Sequence, residues 1–125
     1  YPIDTGLAQA FRHGPATDRG PLLETLVFLD LRRRGMSIAY FRSEQGHEVD
    51  FLARSQDGKP QAIQVAESLA DAKTRERELR GLAAAMAERK LTRGTAVTLD
   101  EEDTIQMPQG AIDVVPAWRW LLRRE

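Results

Sequence analysis

The chain has 125 residues, 42% of them hydrophobic and 30% charged, with a formal net charge of −1 and no cysteine. These proportions belong to a globular domain of ordinary size and exclude a disordered polyelectrolyte. The lack of thiols excludes disulfides, thiolate zinc sites and cysteine nucleophiles, and the near-neutral charge confines any nucleic-acid contact to a local patch. The longest mostly apolar run, Leu22 to Leu31, is interrupted by Glu24 and Asp30 and is too short to span a bilayer, so the expected setting is cytoplasmic, without a membrane partner. The chain begins at Tyr1, and the expectation is one domain over residues 1–125, cut from a longer protein.

Tyr1 to Leu7, broken by Pro2 and Gly6, is a lead-in, and Ala8 to Phe11 allows one helical turn. His13 to Pro21 is a loop by composition. Pro21 falls where a first helical position is expected, and Leu22, Leu23, Leu26, Val27 and Leu29 follow as an apolar stripe. Gly35 ends that helix, with Arg32, Arg33 and Arg34 suiting the negative end of its dipole. Ser37 to Arg42, with Ile38, Tyr40 and Phe41, predicts a strand, and Ser43 to Gly46 a turn. Glu48 to Ala53 predicts the next strand, with Val49, Phe51 and Ala53 on one face and Glu48, Asp50 and Leu52 on the other.

Asp57-Gly58 marks a hairpin turn within Gln56 to Pro60, and Ala62 to Ala66 is a short apolar strand whose only polar residue is Gln64. Asp71 or Thr74 caps a second helix running to about Lys90, with Leu79, Leu82, Ala83 and Met86 inward. Its outer face alternates Lys73, Arg75, Arg77, Arg80 and Arg89 with Glu76, Glu78 and Glu88. Gly94 to Leu99 is a fourth strand, Asp100 to Asp103 an acidic turn, and Ile105 to Met107 with Ile112 to Val115 a closing hairpin around Pro108-Gln109-Gly110. Pro116 opens a terminal helix bearing Trp118, Trp120, Leu121 and Leu122. A meander of strands, a crossover helix and further strands predict an α/β (α+β) fold, a mixed central sheet flanked by helices.

Glu24, Asp50 and Gln64 are the residues whose oxygens suit a hard divalent cation such as Mg²⁺. Such a cation activates water and offsets charge on a phosphate, and a nearby lysine helps orient that water. Each residue also has a structural role open to it: Asp50 on a loop amide, Glu24 at a helix start, Gln64 as a bonded core amide. Arg75 and Arg77 either face Asp50 and bind an anion or pair with Glu78 on their own helix. His13 and His47 lack a partner pattern, Trp118 and Trp120 suit packing better than base stacking, and no phosphate-binding G-x-x-x-x-G-K-[ST] loop occurs.

Taken in order, Tyr1-Pro-Ile-Asp-Thr-Gly-Leu7, Gly20-Pro-Leu-Leu-Glu24, Leu31-Arg-Arg-Arg-Gly35, Tyr40-Phe-Arg42, Gly46-His-Glu-Val-Asp-Phe51, Thr74-Arg-Glu-Arg-Glu-Leu79 and Val115-Pro-Ala-Trp118 resemble a domain of unknown function, DUF4143, found C-terminal to AAA+ ATPase modules. Glu24, Asp50 and the Ile63-Gln64-Val65-Ala66 run also resemble the PD-(D/E)XK, or restriction-endonuclease-like, superfamily. The resemblance implies that Glu24, Asp50 and Gln64 occupy the catalytic and metal-ligating positions, with Mg²⁺ as cofactor if the site is active. It also exposes two departures: Gln64 stands where the pattern has an acid, and Ala66 where it has lysine. Glu67 and Lys73 are the nearest residues that could substitute from displaced positions. The expected function is therefore a non-catalytic nuclease-like domain, a recognition or assembly module for nucleic acid or protein, with an ATPase module upstream in the same chain. The alternative is a Mg²⁺-dependent nuclease, with Arg75 and Arg77 on the nucleic acid. A third expectation is a homo-oligomer formed through the terminal Trp-containing segment.

Overall fold

The apolar positions of the first helix repeat at spacings of three and four, which carries one buried stripe along Leu23, Leu26, Val27, Asp30 and Leu31. The structure is a computed structural model and describes residues 16–42, 46, 48–56, 58 and 60–123. Helix α1 spans Ala16–Arg33, so it starts five residues before Pro21 rather than at it. A proline at that depth gives up one intrahelical hydrogen bond and crowds the preceding turn, and Pro21 sits on the exposed side of the helix. The stripe passes through Asp30 and leaves Leu29 exposed, which corrects the expected inward position of Leu29. Gly35 ends the helix in the left-handed region at φ 76°, and the Met36 N–H donates to the Leu31 carbonyl at 3.1 Å.

The remaining elements are β1 (Ser37–Arg42), β2 (Glu48–Arg54), β3 (Pro60–Val65), α2 (Ala72–Arg89), β4 (Arg93–Thr98), β5 (Asp103–Met107), β6 (Gly110–Pro116) and α3 (Ala117–Leu122). Six strands form one sheet in the order β1-β2-β3-β4-β6-β5. β1–β2, β2–β3 and β5–β6 pair antiparallel, whereas the α2 crossover makes β3–β4 parallel, and β6 returns parallel to β4. This is the mixed α/β architecture that the order of elements predicts. The lead-in, the Ala8–Phe11 turn and part of the expected 13–21 loop lie outside the described residues, as do Ser43–Gln45, Asp57 and Lys59.

Two cores sandwich the sheet. On one face Leu82, Ala85 and Met86 of α2 meet Phe41, Val49, Leu52, Ala62, Ala96 and Ile112. On the other, Leu23, Val27 and Leu31 of α1 and Trp120 of α3 meet Phe51, Ala53, Ile63, Val65 and Val97. Trp120 packs as expected, but Trp118 is 59% exposed. A buried carboxylate ties the two helices of this second layer together. Asp30, its side chain 2% exposed, accepts from Arg34 Nε at 2.8 Å, from Arg123 Nη1 at 3.1 Å and from Arg33. Arg34 also donates to the Arg123 carbonyl at 2.9 Å. Removing one partner of such a network strands buried charge, which makes it a strong lock on the chain end.

Strict alternation fails in β2. Ala39 pairs with Leu52 and Phe41 with Val49, so Tyr40 faces two residues, Asp50 and Phe51. The extra residue is a β-bulge, which re-aims the side chains beyond it. Val49 therefore joins Leu52 in the α2-side core while Phe51 and Ala53 face α1, and the expected Val49–Phe51–Ala53 face is broken. No helix among the described residues is long and apolar enough to cross a membrane.

Asp71 caps α2, accepting from the Thr74 N–H at 2.9 Å. That backbone hydrogen bond holds its carboxyl below the ordinary value of 3.8. A lowered folded pKa means that the cap's contribution is full above the ordinary value and is lost as pH falls through the folded one. Asp71→Ala is therefore expected to lower the thermal midpoint at pH 7, and melts of the two proteins recorded down the pH scale should converge in strong acid.

Candidate functional site

The β2–β3 ladder pairs Arg54 with Pro60 through Phe51 with Ile63, and it stops at the bulge. Beyond that point side chains take over the work of the backbone. The Asp50 N–H donates to Gln64 Oε1 at 2.9 Å, and the Val65 N–H donates to Asp50 Oδ2 at 2.9 Å. Each strand thus satisfies a backbone donor on the other, which is what a buried N–H requires where ladder bonds are lost.

The other end of the Gln64 amide reaches α2, where Nε2 donates to Glu78 Oε2. These two partners fix the amide orientation. A flipped group would set NH₂ against the Asp50 N–H and a carbonyl oxygen against a carboxylate. Glu78 Oε1 in turn accepts from Arg77 Nη2 at 3.3 Å. Glu78 was expected on the solvated face of α2, but it is half-buried. The sequence signal for this is its spacing: Glu78 lies four residues before Leu82, so the buried stripe extended back one turn reaches it.

Glu24 and Asp50 line one open cleft of about 430 Å³, together with Tyr40, Phe41, Arg42 and Val49. The structure thus brings the two candidate carboxylates, one from α1 and one from the bulged strand, to a common space. Gln64 is not in that lining. It is 6% exposed and its amide points to α2. Ala66 is buried among Phe41, Val49 and Leu82, and its methyl group offers no charge or donor. Glu67 is half-buried at the end of β3. Lys73 is exposed and shares a shallow hollow with Glu76, Arg77 and Arg80.

Arg75 pairs with Asp103 at 3.6 Å and Arg77 with Glu78, and neither lines the Glu24–Asp50 cleft. Among the described residues no group of three or more His, Asp or Glu side chains is placed to hold a metal ion. His13 and His47 lie outside the described residues. Chemically, the arrangement is a cleft holding two carboxylates and one guanidinium, backed by a neutral, fully engaged amide. Tyr40 and Arg42 were not anticipated as cleft residues; they enter because the bulge sets Asp50 opposite Tyr40.

The family described as "Domain of unknown function (DUF4143)" matches residues 19–120. An uncharacterized protein of Methanocaldococcus jannaschii is 32% identical over 114 residues, which cover 84% of this chain and 25% of that protein. The chain therefore spans about a quarter of the length of the curated relative it matches.

Gln64→Glu withdraws the amide donor and sets a second carboxylate against Glu78. The expected cost is about 1–3 kcal/mol at pH 7, measured by urea unfolding. The deficit should shrink as pH falls, because a crowded carboxyl has a raised pKa and, once protonated, donates to Glu78 again.

Proposed function

Because the chain belongs to the DUF4143 family, we propose that it is a non-catalytic PD-(D/E)XK-like domain, a recognition or assembly module for nucleic acid or protein. In this reading it is a single domain of a longer protein that carries an AAA+ ATPase-like module upstream. The relative, four times as long as the matched segment, supports a longer parent. The mixed sheet with Asp50 at the bulged end of β2, beside β3, supports the nuclease-like descent.

One observation supports the non-catalytic reading. The residue at the second acidic position, Gln64, is neutral and engages both ends of its amide, with the Asp50 N–H and with Glu78. Its oxygen is turned to a backbone donor, and the next position of the pattern is the buried methyl of Ala66. A cation held by Glu24 and Asp50 would have two carboxylates for ligands and no lysine at that position to orient the attacking water.

A Mg²⁺-dependent nuclease is the alternative, and the shared Glu24–Asp50 cleft is the observation in its favour. Calorimetry with Mg²⁺ and Mn²⁺, run beside DNA and RNA cleavage assays, separates the two. The recognition reading expects no cleavage and no saturable cation binding that depends on Glu24 and Asp50. Saturable binding abolished by Glu24→Gln, which leaves the β2–β3 stitching intact, together with cation-dependent cleavage, would establish the nuclease. Asp50→Ala serves as a second variant, checked for folding because its carboxylate also holds the Val65 N–H.

A further inference from the structure

Most arginines among the described residues meet a carboxylate. Arg75, Arg77, Arg80, Arg93 and Arg119 each pair with one, and Arg33, Arg34 and Arg123 share Asp30. Arg54 and Arg89 have no carboxylate partner among the described residues, and they line the same pocket.

The fold brings them there from 35 positions apart. Arg54 ends β2, opposite Ser37 of β1 on one side and Pro60 of β3 on the other. In sheet parity it follows Leu52, whose side chain lies in the α2-side core. Arg89 closes α2 above that face, its guanidinium 5.9 Å from the centroid of the Phe41 ring. The pocket between them has a volume of about 170 Å³ and is lined also by Ser37, Ile38, Ala39, Leu52, Ala53 and Pro60, with no acidic side chain among the described residues.

Two arginines that line one concavity hold like charges near each other, and an anion between them turns repulsion into attraction. Planar guanidinium forks match the oxygens of a phosphate, and a ring under one of them limits the rotamer freedom lost on binding. The apolar floor of Ala39 and Leu52 suits a ligand with a carbon body behind its charge. Arg89 also answers the negative end of the α2 dipole. Arg54 comes from the sheet and has no such role.

We propose that Arg54 and Arg89 together form a phosphate-binding site on the sheet face beside the end of α2, for a phosphate group carried by a small metabolite or by a nucleic-acid backbone. The site is separate from the Glu24–Asp50 cleft: Arg54 lies four residues along β2 from Asp50, roughly 13 Å of strand. A phosphodiester held at Arg54 is therefore not presented to Asp50 and Glu24. Only the choice of nucleic acid as one of the two sources rests on the recognition-domain reading above.

The test titrates the full chain with pyrophosphate, followed by amide chemical shifts, and with a labelled single-stranded oligonucleotide, followed by anisotropy. Pyrophosphate should shift the amides of Ser37, Ala39, Arg54 and Arg89. Arg54→Gln and Arg89→Gln should each weaken binding by about tenfold, the loss of one charge-assisted contact. Arg80→Gln, on the far side of α2's ion pairs, should not. Both target side chains are exposed, so Arg54→Gln should melt as the wild type does and Arg89→Gln, which gives up a charge at the end of the α2 dipole, only slightly below it. Oligonucleotide binding weakened by the same two variants assigns the site to a nucleic-acid backbone, and pyrophosphate binding alone assigns it to a small phosphorylated molecule. No response to either probe, or equal binding by wild type and both variants, overturns the site. Oligonucleotide binding that ignores both substitutions overturns the site yet leaves a recognition domain; cation-dependent cleavage overturns that reading and leaves the phosphate site untouched.

Discussion

The pair of hydrogen bonds that stitches β2 to β3 beyond the bulge, from the Asp50 N–H to Gln64 and from the Val65 N–H to Asp50, is the constraint on which the candidate site depends. A bulge lets β2 turn Asp50 toward α1, but it also breaks the ladder to β3. Without replacement bonds the two N–H groups at the break would be buried and unpaired, each at a cost of about 1–3 kcal/mol. Asp50 and Gln64 supply those bonds across the gap. The same two side chains that a metal site would require are thus structural fasteners. Glu78 extends the fastening to α2, so the strand pair, the crossover helix and the cleft wall are fixed by one polar chain.

Acidic residues crowd one end of the sheet, with Arg42, Arg75 and Arg119 among them. Asp50, Glu24, Glu67 and the Asp100–Asp103 run gather near the end at which β3 and β4 finish. Arg54, Arg89 and Lys90 lie near the end at which those strands begin. A chain of net charge −1 can still attract an anion locally where arginines without a carboxylate partner line one pocket.

Much of the architecture was legible because it is local. Gly35, Asp71 and Pro116 mark helix ends by their own chemistry, and each does so in the structure. The element order, with one helix between strands, was enough to predict a mixed sheet. What escaped the sequence is what depends on register or on distant partners. Val49, Phe51 and Ala53 are spaced for one face in the sequence, and the bulge exists only in how β2 pairs with β1. Leu29 looks like part of a stripe until Asp30 is known to meet Arg123, 93 positions away. Candidate carboxylates were visible by residue type, but the engagement of Gln64 with Glu78 depends on how α2 lies on the sheet.

The last helix has a consequence of an optical kind. Six residues are too few to stay helical alone, so α3 persists through its packing and its lock on Asp30. Its two indoles sit in opposite environments. Trp120 is buried with the Arg123 guanidinium 3.6 Å from its ring centroid, whereas Trp118, two positions earlier, faces water. Trp118 and Trp120 are the only two tryptophans in the chain. Intrinsic fluorescence therefore looks at one place only, and it distinguishes the docked chain end from the open one. A partner that pries α3 from α1 would announce itself as a red shift of one emitter beside an unchanged neighbour.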